Sequence, residues 1–467
     1  MEMTEEKWTD LHSQCYKASG SIIVGGCVDW WFEHVKDFCW HAFDPDSDVK
    51  KSSGCFRCWD GSKWAEVKYL YFQQDLAKLW PSTPESAMSL IIKEIKLNCT
   101  KHAEFIDPVH TSKVYCKNNA IALDGDNMTL VTNKPSNYNI SCMPIEYDPT
   151  ARCPFWEELM QRCLGYYGDD SNTWTADKEL IEVFQEFLGY ALQGSCRAEK
   201  FMLLIGVGGN GKSVVLKALS DVLFGETAGY SALSRFGEAD NGVADLVDKR
   251  IIYHPDEPEV SWKRLDNTIK NLVSGEPILA TRKYITGAYV PLTGKGIWGM
   301  NHFPKFSDLG HSITRRMLAI PFNRSFTAVD KVDMTTDEII AKLMDEKAGI
   351  FNWALTGLSR LAKNEWQFTK STLMETTAID AMNEYDTIGL WLDDAFVVTG
   401  NPKDKVAVFS LFESYLEYCS ENYIKEDHRK SLRTLASAVI SKDPRIRRAR
   451  IKKGKSASRA VSGVVFR

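Results

Sequence analysis

The sequence predicts an α/β fold: a mainly parallel sheet interleaved with helices, preceded by an α+β region and followed by a small basic unit. Three observations lead there. Between residues 199 and 325, short apolar runs alternate with loops and helix-like patterns, as buried parallel strands and their crossovers do. The first run, Phe201 to Ile205, breaks into glycines and resumes at once as a helix-like pattern. Finally, 14 Lys and Arg against 3 Asp and Glu lie between Lys425 and Arg467, although the whole chain is −5.

With 467 residues, 44% apolar and 25% charged, the chain has the composition of an ordinary globular protein. That length suits about two to four domains. No apolar run approaches the ~20 residues of a membrane span. The opening MEMTEEKWTD is acidic and polar, unlike a signal peptide, so a cytoplasmic location is expected. Of 12 cysteines, 11 precede residue 200 and are scattered, which suits reduced thiols rather than a disulfide frame. The sequon at Asn127 is then not expected to be used.

In chain order, residues 1–150 show short strand-like runs (Ile121 to Leu123, Thr129 to Val131) around the turn signal Asp124 to Asn127. Helices are predicted near Tyr69 to Leu79 and Glu85 to Leu97. Residues 151–198 read as helices: Pro154 suits a first turn, and Phe155, Leu159, Met160 and Cys163 recur at helical spacing. Lys178 to Leu192 repeats that pattern and stops near Gly194. The α/β region spans 199–330, further helices fill 331–400, and 401–467 form the last unit. There Val406 to Tyr423 and His428 to Ile440 read as helices, followed by strands near Arg445 to Ile451 and Ala460 to Phe466.

Gly206-Val207-Gly208-Gly209-Asn210-Gly211-Lys212-Ser213 fits the phosphate-loop pattern at every position. Glycines let successive N–H groups turn inward around a phosphate, the lysine reaches the β/γ oxygens and the hydroxyl binds Mg²⁺. The helix that follows points its positive end at the anion. Residues Gly206 to Val214 are therefore expected to hold a nucleotide. The motif alone does not separate kinase, GTPase, motor and helicase.

A second apolar run, Arg250 to Tyr253, ends in His254-Pro255-Asp256-Glu257. An acid there completes the Mg²⁺ shell and a second polarises the attacking water; Asp256 is assigned to the metal, with Ser213, and Glu257 to the water. A third run, Gly296 to Met300, ends in Asn301, placed to sense the γ-phosphate or hold the water. Arg315 and Arg316 precede a fourth run and suit an arginine finger reaching a neighbouring subunit. Lys270, Arg282, Lys283 and Lys295 lie between the second and third runs, with Lys295 in the turn-rich stretch Pro291 to Gly296. A hairpin with a basic tip suits the phosphates of a single strand. The plain alternatives are a surface acidic turn, a capping Asn, an arginine ion-pair cluster and an ordinary exposed hairpin.

Together these segments resemble the superfamily-3 (AAA+) helicases of the phage and poxvirus primase-helicase type. PIEYDPTARCPFWEELM (Pro144 to Met160), FLGYALQG, GVGGNGKS, DEPE, KNLVSGEPILATRKY, KGIWGMNHFPKF and ITRRMLAIPF follow one another in that family's order. RCWDGSKW (Arg57 to Trp64) and YCKNNAIALDGDNMTLV (Tyr115 to Val131) resemble the domain ahead of the motor. The resemblance implies a helical collar at 151–198, an AAA+ core, a helical lid or linker at 331–400 and a winged helix at 401–467. It also implies a hexameric ring on single-stranded DNA, ATP sites between subunits and 3′ to 5′ travel. Lys212, Ser213, Asp256, Glu257 and Asn301 match the family's ATPase positions. Arg315 or Arg316 matches the finger, with Arg316 favoured, and Lys270, Arg282 and Lys295 match the translocating segment. Two departures stand out: Glu276 replaces the family's Asp after Ser274-Gly275, and the paired acids replace a single one.

In the basic unit, Arg447, Arg448, Arg450, Lys452, Lys453 and Lys455 are expected to contact DNA backbone. Cys55 and Cys58 form a C-x-x-C pair downstream of Cys39 and His41, but no second close pair completes a zinc site, and buried thiols are expected. Asp44, Asp46 and Asp48 sit in a polar Pro/Ser stretch rather than on a strand, so a solvated loop is expected and any primase or polymerase would be a separate partner. The expected function is an ATP- and Mg²⁺-dependent DNA helicase of phage, plasmid or mobile-element replication, working on forked DNA in the host cytoplasm. The alternatives are an origin-binding initiator whose ATPase switches assembly, and an ATP-dependent scaffold without nucleic acid.

Overall fold

Burial rather than helix propensity shapes the first hundred residues. Val24–His34 forms a helix despite Gly25 and Gly26, because Cys27, Val28, Trp30 and Trp31 sink into an apolar core with Phe72, Leu76 and Trp80. A Cβ at residue 26 would collide with the Gln14 carbonyl of the neighbouring helix, Glu5–Cys15. Neither helix is among the sequence expectations. The computed structural model describes the chain apart from residues 1–4, 36, 43–53, 102–112, 126, 169–172, 207, 234–242, 258–265, 283–284, 302–312, 314, 327–333, 378–386, 423–428, 430 and 454–455.

The same core covers a four-stranded sheet in which Phe38–Ala42 pairs antiparallel with Gly54–Trp59 and parallel with Thr100–Lys101, while Trp64–Val67 closes the other edge. Helices Tyr69–Leu79 and Glu85–Asn98 follow. Cys39 and Cys55 are buried, and His41 accepts a 3.0 Å hydrogen bond from Arg57 Nε at Nδ1. Asp44, Asp46 and Asp48 lie outside the described residues. Lys113–Tyr115, Ala120–Asp124 and Asn127–Val131 make a separate antiparallel meander.

The parallel sheet has five strands: β1 (Phe201–Ile205), β2 (Ala228–Tyr230), β3 (Ile251–His254), β4 (Lys295–Met300) and β5 (Met317–Pro321), in the order β2-β3-β4-β1-β5. All neighbours are parallel; Leu203, for example, pairs with Trp298 on one side and Ala319 on the other. Both faces are covered, which is why the strands read as unbroken apolar runs.

Helices α1 (Pro154–Cys163), α2 (Lys178–Ala191), α3 (Lys212–Ala218), α4 (Thr336–Asp345) and α5 (Lys347–Lys363) share one core with the sheet, including Trp156, Phe184, Phe187, Phe224, Ile320 and Phe351. Helices α2 and α5 approach closely, and the buried Glu186 of α2 accepts from Arg360 Nε at 2.7 Å and from the Thr369 N–H at 2.8 Å. A capping box between Thr335 and Glu338 starts α4. Between β3 and β4 the chain forms a helix, Asp266–Ser274, and a hairpin, Pro277–Arg282 with Ile285–Pro291.

The chain divides into two units, Met1–Met374 and Glu375–Arg467. The second begins well before residue 401, because Phe396–Val398 pairs with Val464–Phe466 and helix Thr387–Ala395 supplies Ile388, Trp391 and Leu392 to its core. Its remaining elements are strand Lys405–Ala407, helices Val408–Glu421 and Leu432–Lys442, and a ribbon of Arg447–Lys453 with Ser456–Ser462. Among the described residues no helix is long and apolar enough to cross a membrane.

Candidate functional site

The phosphate-loop residues occupy the sharp connection from β1 to α3, at the carboxyl edge of the sheet, where open α/β folds bind ligands. Gly206 donates its N–H to the Met300 carbonyl at 3.1 Å, tying the loop to the end of β4. A Cβ at Gly206 would collide with the Asn210 amide and the Phe322 carbonyl. Asn210, itself buried, donates to that carbonyl at 2.8 Å and so bridges the loop to the end of β5. Gly211 caps α3 with φ +90°, in the left-handed region that favours glycine. The helix then widens into a π-type turn over Leu219–Phe224.

The Lys212 ammonium lies inside the loop, bonded to the Gly206 carbonyl and, at 3.0 Å, to Asn210 Oδ1. Burial pulls its pKa below the usual lysine value, and the Asp256 charge partly offsets this. Gly208, Gly209 and Ser213 are exposed and Val214 is half-buried; Val207 lies outside the described residues.

Asp256 and Asn301 follow the ends of the adjacent strands β3 and β4. Both are exposed, and Asn301 Nδ2 donates to Asp256 Oδ1 at 3.3 Å. The structure therefore brings Lys212, Asp256 and Asn301 to one edge. Glu257 departs from the sequence expectation. It is 5% exposed, its N–H bonds the Gly299 carbonyl at 2.8 Å, and its Oε2 accepts the Leu233 N–H at 2.9 Å. His254 Nδ1 stands 3.7 Å from the same oxygen. Past the end of β3, one acid thus faces solvent and the other the interior.

Arg316 lies just ahead of β5 with its Nη2 2.8 Å from Glu199 Oε2. Arg315 is exposed, and its carbonyl accepts from Lys200 Nζ.

Lys295 is a correction. The sequence placed it on an exposed basic turn, but it opens the central strand β4 and is 2% exposed. Its ammonium donates to the Thr293 carbonyl, sits 3.6 Å from Cys196 Sγ and lies 4.6 Å from the centre of the Tyr190 ring. The turn signals before it are real; tertiary packing, not the turn, decides that the lysine points inward. Lys270 is half-buried on Asp266–Ser274. Arg282 ends the first hairpin strand, and Lys283 lies outside the described residues. Arg447, Arg448 and Arg450 are exposed on the C-terminal ribbon; Lys452 and Lys453 belong to the same strand, and Lys455 is outside the described residues.

Sequence reasoning passed over Trp174, Arg324 and Phe326. The Arg324 guanidinium carbon lies 5.2 Å from the Trp174 ring centre and 5.4 Å from that of Phe326, beside the phosphate loop. Trp174 lies about 150 residues ahead of the Arg324-Ser325-Phe326 segment, and no local spacing reveals that they meet.

Comparison with known proteins gives a family, a viral relative and a fold. Residues 204–316 match the model of a family of unknown function, DUF5906. The chain is 24% identical over 268 residues to the putative helicase L207/L206 of Acanthamoeba polyphaga mimivirus. That match takes in 53% of this chain and 27% of the relative, so the chain spans about a quarter of the viral protein. Among solved structures, the A form apo structure of the NrS-1 C-terminal region superposes with a TM-score of 0.50 at 15% identity, over 93% of this chain and 98% of that one. A second apo structure of that region gives 0.48 at 13% identity over the same shares. The first of these likenesses extends the fold across nearly the whole chain.

Proposed function

We propose that this chain is an ATP-driven DNA helicase of the superfamily-3 AAA+ type, acting in the replication of a phage, plasmid or other mobile element. The observation that carries the reading is the convergence of Lys212, Asp256 and Asn301 on one sheet edge, with Asn301 bonded to Asp256 at 3.3 Å. A lysine for the γ-phosphate, an acid and a polar sensor on neighbouring strands are the parts that hydrolysis of a bound triphosphate needs. The strand order supports it: β4, which ends in the sensor, lies between the phosphate-loop strand and the acid-bearing strand. The likeness to a viral protein described as a putative helicase points the same way.

The donor set suits Mg²⁺, a hard cation that takes oxygen ligands. The exposed Ser213 hydroxyl and Asp256 carboxylate would hold it, and it would neutralise phosphate charge. In this reading Asp256, with Asn301, also positions the attacking water, because the Glu257 carboxylate is already engaged by the Leu233 N–H. Arg315 takes the part of the finger supplied to a neighbouring subunit, since Arg316 is held by Glu199. The hairpin whose first strand ends in Arg282 would grip the threaded strand in a ring, probed first as a hexamer moving 3′ to 5′. The order helix, strand, two helices and β-ribbon supports a winged helix at the C-terminus.

The test is unwinding of a forked duplex, read alongside electron-microscopic images of the assembly. The wild type should unwind only with ATP and Mg²⁺, and Lys212→Ala should abolish both turnover and unwinding. ATPase activity that leaves the fork intact and only drives assembly on duplex DNA would favour an initiator instead. Unwinding retained in Lys212→Ala would remove the loop from the mechanism.

A further inference from the structure

Beyond Phe322 the chain does not leave the sheet edge but returns to the phosphate loop. The Phe326 N–H donates to the Gly209 carbonyl at 3.1 Å. A Cβ at Gly211 would come within 3.3 Å of the Phe326 ring on one side and 3.0 Å of Cys163 Sγ on the other. The ring thus lies against the loop itself. Two residues earlier, Arg324 turns back over the same ring, its guanidinium carbon 5.4 Å from the centroid. The guanidinium also lies 5.2 Å from the Trp174 centroid.

Trp174 is held from below. It belongs to the small hairpin Gly165–Tyr167 with Trp174–Ala176, which follows α1. Its indole N–H is bonded to the Gln161 carbonyl of α1 at 2.9 Å, and Tyr167 packs edge-on against it at 5.2 Å. Arg324 Nη1 reaches the Arg162 carbonyl of the same helix at 3.4 Å. The Arg324 guanidinium thus stands within cation–π distance of both rings at the margin of the loop, with all three side chains only half-buried.

The loop's backbone and Lys212 recognise phosphates alone, and every nucleoside triphosphate would satisfy them equally. A nucleobase needs something different: a flat surface to stack on, and donors at its edge. Aromatic rings and the guanidinium plane supply the first, and the forked N–H groups of arginine the second.

We propose that Phe326, Arg324 and Trp174 form the base-binding end of this site and take the purine of a purine nucleoside triphosphate. The two-ring purine covers more of the shelf than a pyrimidine does, and its ring nitrogens accept from the arginine. The proposal rests on reading the loop as a nucleotide site, and it adds which part of the chain reads the base.

The experiment is calorimetric binding of three probes to the full chain with Mg²⁺: ATP, UTP and inorganic tripolyphosphate, which has no base. Wild type should bind ATP about ten-fold or more tighter than tripolyphosphate, the scale of one base stacked on an aromatic ring, and should also prefer ATP to UTP, whose single ring covers less of the shelf. Phe326→Ala and Arg324→Ala should each weaken ATP by about ten-fold and erase the preference over UTP. Tripolyphosphate binding should stay as in wild type, which also shows that the variants fold. Phe326→Tyr should bind ATP as wild type does. Should Phe326→Ala fail to fold, Trp174→Leu, on the separate hairpin, asks the same question. Loss of ATP and tripolyphosphate in equal measure, or unchanged ATP binding in the variants, overturns the shelf. Wild type binding tripolyphosphate as tightly as ATP overturns the shelf alone; wild type binding none of the probes overturns the nucleotide reading as well.

Discussion

Arg316 Nη2 is held 2.8 Å from Glu199 Oε2, with only 11% of the arginine side chain exposed. This pair joins the residues just before β5 to those just before β1, two strands that lie side by side. The adjacent Arg315 is exposed. One arginine thus braces the sheet from within the chain and the other is presented outward.

Their substitutions should separate accordingly. Glu199→Gln weakens an ion pair whose acid is 42% exposed, so a stability loss of about 1 kcal/mol and near-normal turnover are expected. Arg315→Ala should bind ATP yet lose about 10³-fold in rate, as removal of a finger does. Mixing it with Lys212→Ala should restore part of the activity, because each variant supplies what the other lacks. ATPase assays on mixed rings check this; rescue by Arg316→Ala but not by Arg315→Ala would assign the finger to Arg316.

The two acids after β3 should differ just as clearly. Asp256 faces Asn301 and the Lys212 charge, whereas the Glu257 carboxylate accepts a backbone N–H. Asp256→Asn should lower kcat by roughly 10²-fold or more, the scale of losing general-base help. Glu257→Gln keeps an acceptor for Leu233 and should change kcat by less than about ten-fold. A larger loss in Glu257→Gln would mean that the glutamate turns outward during turnover.

These contrasts mark what the sequence made legible. The phosphate loop, Asp256 and Asn301 were readable because each is a short local signal: a glycine spacing, or a polar residue ending an apolar run. That Asp256 is exposed while Glu257 is buried was not, since it depends on where Gly299 and Leu233 lie. Lys295 misled for the same reason: Pro291 to Gly296 has the composition of an exposed turn, and only the neighbours of β4 show that the lysine is enclosed. Val24–His34 was hidden by Gly25 and Gly26, whose poor propensity is outweighed by four buried apolar side chains.

Lys295 offers a pH-dependent check. Burial holds its pKa below the usual 10.5. Between the folded and unfolded values the unfolded chain binds more protons, so this site's contribution to stability rises with pH through that window. Lys295→Met removes the buried charge at similar volume and should be neutral or stabilising at pH 7, by up to about 1–4 kcal/mol. The gain should shrink as pH approaches 10.5. Urea denaturation at pH 7 and pH 10 measures both, and affinity for single-stranded DNA should not move. A variant less stable at pH 7 that also loses DNA affinity would return Lys295 to the binding surface.

The C-terminal ribbon carries the last expectation. Side chains alternate along a strand, so Arg448 and Arg450 share one face and Arg447 takes the other. All three are exposed, and Arg448 Nη2 is 3.3 Å from Ser437 Oγ on helix Leu432–Lys442, which places that face beside the helix. If both arginines contact phosphates, as proposed, binding would release two sets of counterions. Arg448→Ala with Arg450→Ala should therefore flatten the slope of log K against log salt on duplex DNA by about 2, and weaken binding to all sequences alike. Arg447→Ala should change the slope little. Titrations of the full chain at several salt concentrations give these slopes directly. An unchanged slope in the double variant, with binding retained, would move the DNA contact off this ribbon.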